Sequence, residues 1–420
     1  MTRHQETKRL PTPLVLFLCL VSFFTVLSIA RDLIGLWHRH WQGAVFDPLA
    51  PPLAGADFYV FRERMRSVHH AAFFAPTGYQ WMYPAPAVLV YAFLYLFCWG
   101  NHWIPGFAVL AATSVGGALY AALRLSNVSY APQRLSVYFL TTLLLAWPLY
   151  ISLERGNTES WLCVILALGI WAFVRERWAL AAMLIGVAGA AKIYPLLCLG
   201  LFIPRKRFKE VGIGLLVASG VTLISLWYLN PDLAFSAKHI VAGVRMFTLQ
   251  YGMAMSPGQG IYDHSAFEIV KVIGRPVDAH LGRWLSCYLV TAGSLFLVVA
   301  LVRVWHLPLT NQVLYIIAAS LLLPPVSFDY TLQNLYISWA IISLCTLRLD
   351  KPTWWHYAVL TCFSLEFAPL TFVLVNGVWI NGIIKGFGLL GLTIFTAITP
   401  CHPVTPSGVT DGTPGTIVPG

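Results

Sequence analysis

Long apolar runs recur from near the start of the chain to its last fifth, and nothing else in the sequence constrains the fold as strongly. Most of these runs are about 17–22 residues, the length an α-helix needs to cross roughly 30 Å of hydrocarbon. In lipid, every backbone N–H and C=O must be satisfied within the protein, so such runs become helices. Hydrophobic residues make up 58% of the 420 positions, and only 10% are charged. That balance leaves no stretch polar enough for a separate soluble domain. The expected fold class is all-α: a polytopic integral membrane protein with about 12 transmembrane helices. Residues 1–399 read as one membrane domain, and 400–420, rich in Pro, Gly and Thr, as a disordered tail.

Spans are placed at roughly 13–30, 103–123, 135–152, 158–174, 179–191, 193–203, 211–229, 284–303, 312–326, 331–347, 354–375 and 379–399. The run Pro84–Trp99 is short and broken at its start by Pro84 and Pro86, so it is expected to dip in and return. The pair 179–203 has basic clusters on both sides and is read as a hairpin turning at Lys192 and Pro195. Short loops carrying Arg124, Arg134, Arg175, Arg177 and Arg205-Lys206-Arg207 fall on one face, which the excess of positive charge makes cytoplasmic. The net charge of +10 thus belongs to membrane anchoring and not to nucleic acid. Two long loops, about 31–102 and 230–283, then lie outside, with a large outer loop between the first two full spans. Polar residues gather there, and chemistry is expected on that elaborated face.

Asp57 stands in the first outer loop, in a chain with few carboxylates. It reads either as an N-cap for the following run or as a catalytic acid or base. Arg62, Arg64 and Arg66 follow, suited to an anionic phosphate or to lipid headgroups. Lys192 ends a helix of small residues and reads either as a functional cation or as a snorkelling one. Glu154, Arg155, Gly156, Asn157 and Glu159 form a polar cluster at a helix start. Glu366 and Lys385 lie within apolar runs and are candidates to pair across neighbouring helices. Asp263, His264 and Asp329 are loop residues without a local motif. There is no DxD carboxylate pair for a divalent metal and no Gly-rich nucleotide loop, so neither a bound metal nor another cofactor is expected.

The segments Asp57-Phe58-Tyr59, then Tyr79 with Tyr83-Pro84-Ala85-Pro86, Gly156-Asn157, Gly186 through Lys192 to Pro195, Arg205-Lys206-Arg207, and Pro325-Val326-Ser327-Phe328-Asp329 follow in order along the chain, and together they resemble glycosyltransferase family 87. The resemblance implies a GT-C-like membrane glycosyltransferase using a polyprenyl-phosphate-linked sugar, mannose in the best-known members. It implies Asp57 as general base, and it covers Lys192. Tyr83, Arg155, Asn157, His264, Asp329 and Arg62 join them as expected substrate-binding residues. Implied partners are the lipid-linked donor, a glycan or glycolipid acceptor and membrane lipid. The implied location is a bacterial plasma membrane, with the site facing the periplasm or exterior. Where the family often has Asn-Gln-Ser this chain has Asp263-His264-Ser265, and Tyr330 follows Asp329 where a His is frequent. The rival readings are a transporter or flippase of lipid-linked sugars and a surface-polysaccharide ligase or polymerase. A transporter is expected to show internal repeats and midplane charges.

Overall fold

The computed structural model describes residues 10–37, 64–74, 81–97, 132–252, 263–274, 281–349, 351–370, 374–375 and 378–401. Asp57, Arg62 and the expected span 103–123 lie outside the described residues. The architecture is a helical membrane bundle, with one two-stranded antiparallel pair, Leu374–Val375 with Val378–Trp379, as its only sheet among the described residues. Four helices there are long and apolar enough to cross a bilayer: Thr12–Arg31, Phe208–Leu229, Leu281–His306 and Asn381–Ile398. Phe208–Leu229 and Leu281–Val302 present Leu216, Ile224, Trp227, Val290 and Val302 outward, an apolar surface suited to lipid.

The bundle centre is held by aromatic packing. Tyr138 stacks on Trp339 at 5.6 Å between ring centroids, and Phe17 and Phe367 approach the same indole at 5.9 Å each. These residues come from the first helix, Pro132–Leu145, Leu335–Arg348 and Trp354–Phe367.

Several expected spans are interrupted. The run 135–152 breaks at Ala146 into Pro132–Leu145 (α1 below) and Trp147–Arg155 (α2). Pro148 has no N–H to give the Leu144 carbonyl, which accepts instead from the Tyr150 hydroxyl. The expected span 331–347 begins as a 3₁₀ turn, Asp329–Asn334, before its α-helix. The helix from Trp354 stops at Phe367, because Ala368 precedes Pro369 and takes extended backbone. Pro86–Phe97 has 12 helical residues, about 18 Å at 1.5 Å per residue and too short to span. Helices Leu233–Phe247 and Ala266–Gly274 fall within the region read as the second outer loop.

The hairpin is as expected. Glu159–Val174 (α3) leads to Trp178–Ala191 (α4), Lys192 breaks out in extended backbone, and a 3₁₀ helix returns over Tyr194–Arg205. Arg205 lies over the Phe173 ring at 4.8 Å and Arg207 over Trp178 at 5.3 Å, so the two basic loops sit together at the end opposite Lys192. Small residues allow the close packing. A Cβ on Gly186 would collide with the carbonyl oxygen of Gly214 on Phe208–Leu229 (α5).

Candidate active site

The polar residues of this site are delivered by chain breaks. Gly156 ends α2 at φ 66°, a left-handed conformation that favours glycine. Its N–H and that of Asn157 both donate to the Ser152 carbonyl, at 3.0 and 3.2 Å. The turn leaves Asn157 fully buried at the start of α3, where its Oδ1 accepts the Glu159 N–H at 3.1 Å. Asn157 Nδ2 donates to the Tyr83 hydroxyl at 2.9 Å. Glu159 is also fully buried. Its Oε2 accepts from Lys192 Nζ, and its Oε1 accepts from the Tyr194 hydroxyl and, at 2.7 Å, from Asn334 Nδ2. Three donors on one carboxylate satisfy it without water.

Lys192 is therefore not a snorkelling lysine. Its side chain is 12% exposed, and its ammonium lies 4.8 Å from the Tyr330 ring centroid and 5.7 Å from that of Tyr83. Lys192, Tyr83, Tyr194, Tyr330 and Thr331 all line one cavity of about 620 Å³. Most of its remaining wall is apolar, including Leu197, Phe247, Leu289, Val326 and Phe328, and Lys192 is the single cation among its described lining residues.

A second buried cluster backs this wall. Asp329 Oδ2 accepts from Lys385 Nζ at 2.6 Å and from Trp147 Nε1 at 2.7 Å. Asp329 Oδ1 faces His264 Nδ1 at 3.5 Å. Burial alone would raise the Asp329 carboxyl, but Lys385 and His264 outweigh it and hold it below its ordinary range. Burial pushes the His264 imidazole down, Asp329 acts against that, and Lys385 adds to it, so the net shift is downward. On the other side of the ring, Nε2 lies 2.9 Å from Ser327 Oγ, within hydrogen-bond distance. Nε2 also lies 3.4 Å from Oγ1 of the cavity-lining Thr331. Asp263 Oδ1 accepts the N–H groups of Ser265 and Ser327, both at 3.0 Å, and His264 N–H donates to the Ser327 carbonyl at 2.9 Å. Burial and the Glu268 charge push the Asp263 carboxyl up to about 7.

Of the expected site residues, Lys192 and Tyr83 reach the cavity. Asn157 stands one hydrogen bond behind Tyr83, and His264 and Asp329 stand behind Phe328, Tyr330 and Thr331. Arg155 ends α2, half-buried, and is not among the described lining residues. The expected pairing of Glu366 with Lys385 is corrected: Lys385 serves Asp329, while Glu366 packs against the helix backbone at Gly388. The role of Glu159 as Lys192's partner was not read from the sequence. A carboxylate at the first turn of an apolar helix was its only signal. Among the described residues, no three His, Cys, Asp or Glu side chains converge as a metal site requires.

Comparison with curated proteins finds no match. The family model described as Glycosyltransferase family 87 matches residues 81–325. That stretch is more than half of the chain and carries Tyr83, Asn157, Glu159, Lys192 and His264, so the chain belongs to glycosyltransferase family 87.

Proposed function

We propose that this membrane glycosyltransferase moves a hexose, mannose, from a polyprenyl-phosphate donor to a hydroxyl of a glycan or glycolipid acceptor. The reaction runs on the outer face of a bacterial plasma membrane, with inversion and without a metal. One observation carries the reading: a cavity of about 620 Å³ with mainly apolar walls whose single described cation is Lys192. An isoprenoid tail needs apolar wall, and its phosphate needs a cation held in a dry setting. A nucleotide sugar would need polar wall for its base and ribose.

The acceptor oxygen attacks the anomeric carbon as the bond from that carbon to the phosphate oxygen breaks. The electron pair stays with the phosphate, beside Lys192. The acceptor proton goes to Asp57, the general base that the family resemblance implies. Attack from the face opposite the leaving group turns a β-linked donor into an α-linked product. Tyr83 and Tyr330 flank the ammonium, with ring centroids 5.7 and 4.8 Å away.

The test offers purified enzyme two radiolabelled donors, a synthetic polyprenyl-phosphate mannose and GDP-mannose, with a membrane glycolipid extract as acceptor. Transfer from the lipid donor alone is expected. Transfer from the nucleotide sugar alone overturns the reading.

A further inference from the structure

We propose that Glu159 sets the strength with which the site grips phosphate, and that its carboxylate lets the spent lipid phosphate leave. The inference rests on the reading of the cavity as a lipid-phosphate site and goes beyond it. That reading requires Lys192 to bind an anion. Yet Lys192 already has one, a fully buried carboxylate locked in place by Tyr194 and Asn334. The carboxylate offsets the cost of burying the ammonium, and the ammonium that of burying the carboxylate. The same negative charge also acts on any anion that meets Lys192 from the cavity.

Charge arithmetic identifies what it acts on. The Glu159–Lys192 pair is neutral overall. The donor is a phosphodiester with one negative charge. Transfer breaks the bond from the anomeric carbon to the phosphate oxygen, leaves its electron pair on that oxygen and sends the acceptor proton to the base. The product is a phosphomonoester with about 1.5 to 2 negative charges near pH 7. An unopposed Lys192 would hold this product more tightly than the donor. Glu159 pairs with the same ammonium but is fully buried and is not among the described lining residues of the cavity, and its repulsion grows with the charge of the ligand. It therefore weakens the product more than the donor. Release of product limits turnover in many enzymes, so a residue that loosens the product raises steady-state rate.

The experiment compares wild type with Glu159→Gln, Glu159→Asp and Lys192→Gln. Each is assayed with polyprenyl-phosphate mannose as donor and polyprenyl phosphate as inhibitor, in steady state and in a single turnover. Glu159→Gln is expected to lower the product inhibition constant about tenfold, the effect of one unit charge at close range, and to lower donor KM less. Its kcat falls while its single-turnover rate does not. Glu159→Asp keeps the charge, so its product inhibition constant falls less than that of Glu159→Gln. A Glu159→Gln enzyme with an unchanged or raised inhibition constant overturns the proposal, as does an Asp variant that moves as far as Gln. Should Glu159→Gln fail to fold, Tyr194→Phe takes its place. It strips one neutral donor from the carboxylate, so the inhibition constant should rise two- to threefold, and an unchanged or lower value overturns the proposal. The donor reading itself fails differently: Lys192→Gln would leave donor KM unaltered, and polyprenyl phosphate would not inhibit wild type.

Discussion

Lys385 donates to Asp329 at 2.6 Å with both side chains fully buried, tying the last long helix to the 3₁₀ turn that carries Tyr330 and Thr331 into the cavity wall. Removing one partner leaves an uncompensated charge in a dry interior. Lys385→Met is expected to destabilise the protein by about 3–5 kcal/mol. Lys385→Met with Asp329→Leu should recover much of that loss. Thermal unfolding in detergent micelles checks both. A single variant as stable as wild type would mean that the pair contributes nothing to holding the turn.

Asp57→Asn is expected to fold normally and to lose transfer activity by about 10²–10⁴-fold, the usual cost of a missing general base. The readout is turnover of purified enzyme with the lipid donor. A near wild-type rate would remove Asp57 from the mechanism.

Under the proposed lipid-phosphate reading, two cations are candidates for the donor phosphate, and they carry unequal support. Lys192→Ala should raise donor KM at least tenfold, because its ammonium is presented to the cavity. Arg62→Ala should have the smaller effect, since Arg62 is placed by its sequence position alone. Activity should survive EDTA, because the sequence has no DxD pair to hold a divalent ion. Loss on chelation with recovery in Mn²⁺ would recast Asp57 as a metal ligand.

Asp263 gives a pH dependence with a definite sign. Burial and the Glu268 charge push its folded-state carboxyl from the ordinary 3.8 up to about 7, so over that range the folded chain holds a proton that the unfolded chain releases. Stability from this group is fully present below about pH 4 and is lost as pH rises through about 7. The neighbouring Glu268 and Lys271 are paired with each other and shape that window. Asp263→Asn keeps an acceptor oxygen for Ser265 and Ser327 without the charge. It should match wild type near pH 4 and exceed it near pH 8, on the order of 1–3 kcal/mol. Melting temperatures at the two pH values decide it. An Asn variant that is equally or less stable at the higher pH contradicts the assignment.

The sequence made much of this legible, and the limits have physical causes. Hydropathy marks spans because lipid imposes one length on them, and the Lys192 turn shows because a charge and a proline interrupt a run of small residues. Side-chain pairing between helices leaves no periodic trace. Glu159 and Lys192 are 33 residues apart, and Asp329 and Lys385 are 56 apart. Glu366 offered the same charge complementarity to Lys385 as Asp329 does, and only packing decides between them. The break at Ala146 was readable in principle, since Pro148 removes a helix hydrogen bond, but the apolar residues around it continue without pause. The cavity is assembled from distant segments, none of which is a motif by itself.

The nine-residue helix Trp147–Arg155 touches both buried polar clusters. Its first residue donates to Asp329, and Asn157, two residues past its end, donates to Tyr83. A helix advances about 100° per residue, so the number of residues between Trp147 and the turn at Gly156 fixes the angle between these two contacts. Inserting or deleting a single residue within the helix would swing Trp147 a quarter turn or more relative to Asn157. Both hydrogen bonds could not then be made at once. The length of this short helix is thus under tighter restraint than the identity of its outward-facing residues, and an insertion scan should find it intolerant where substitution is accepted.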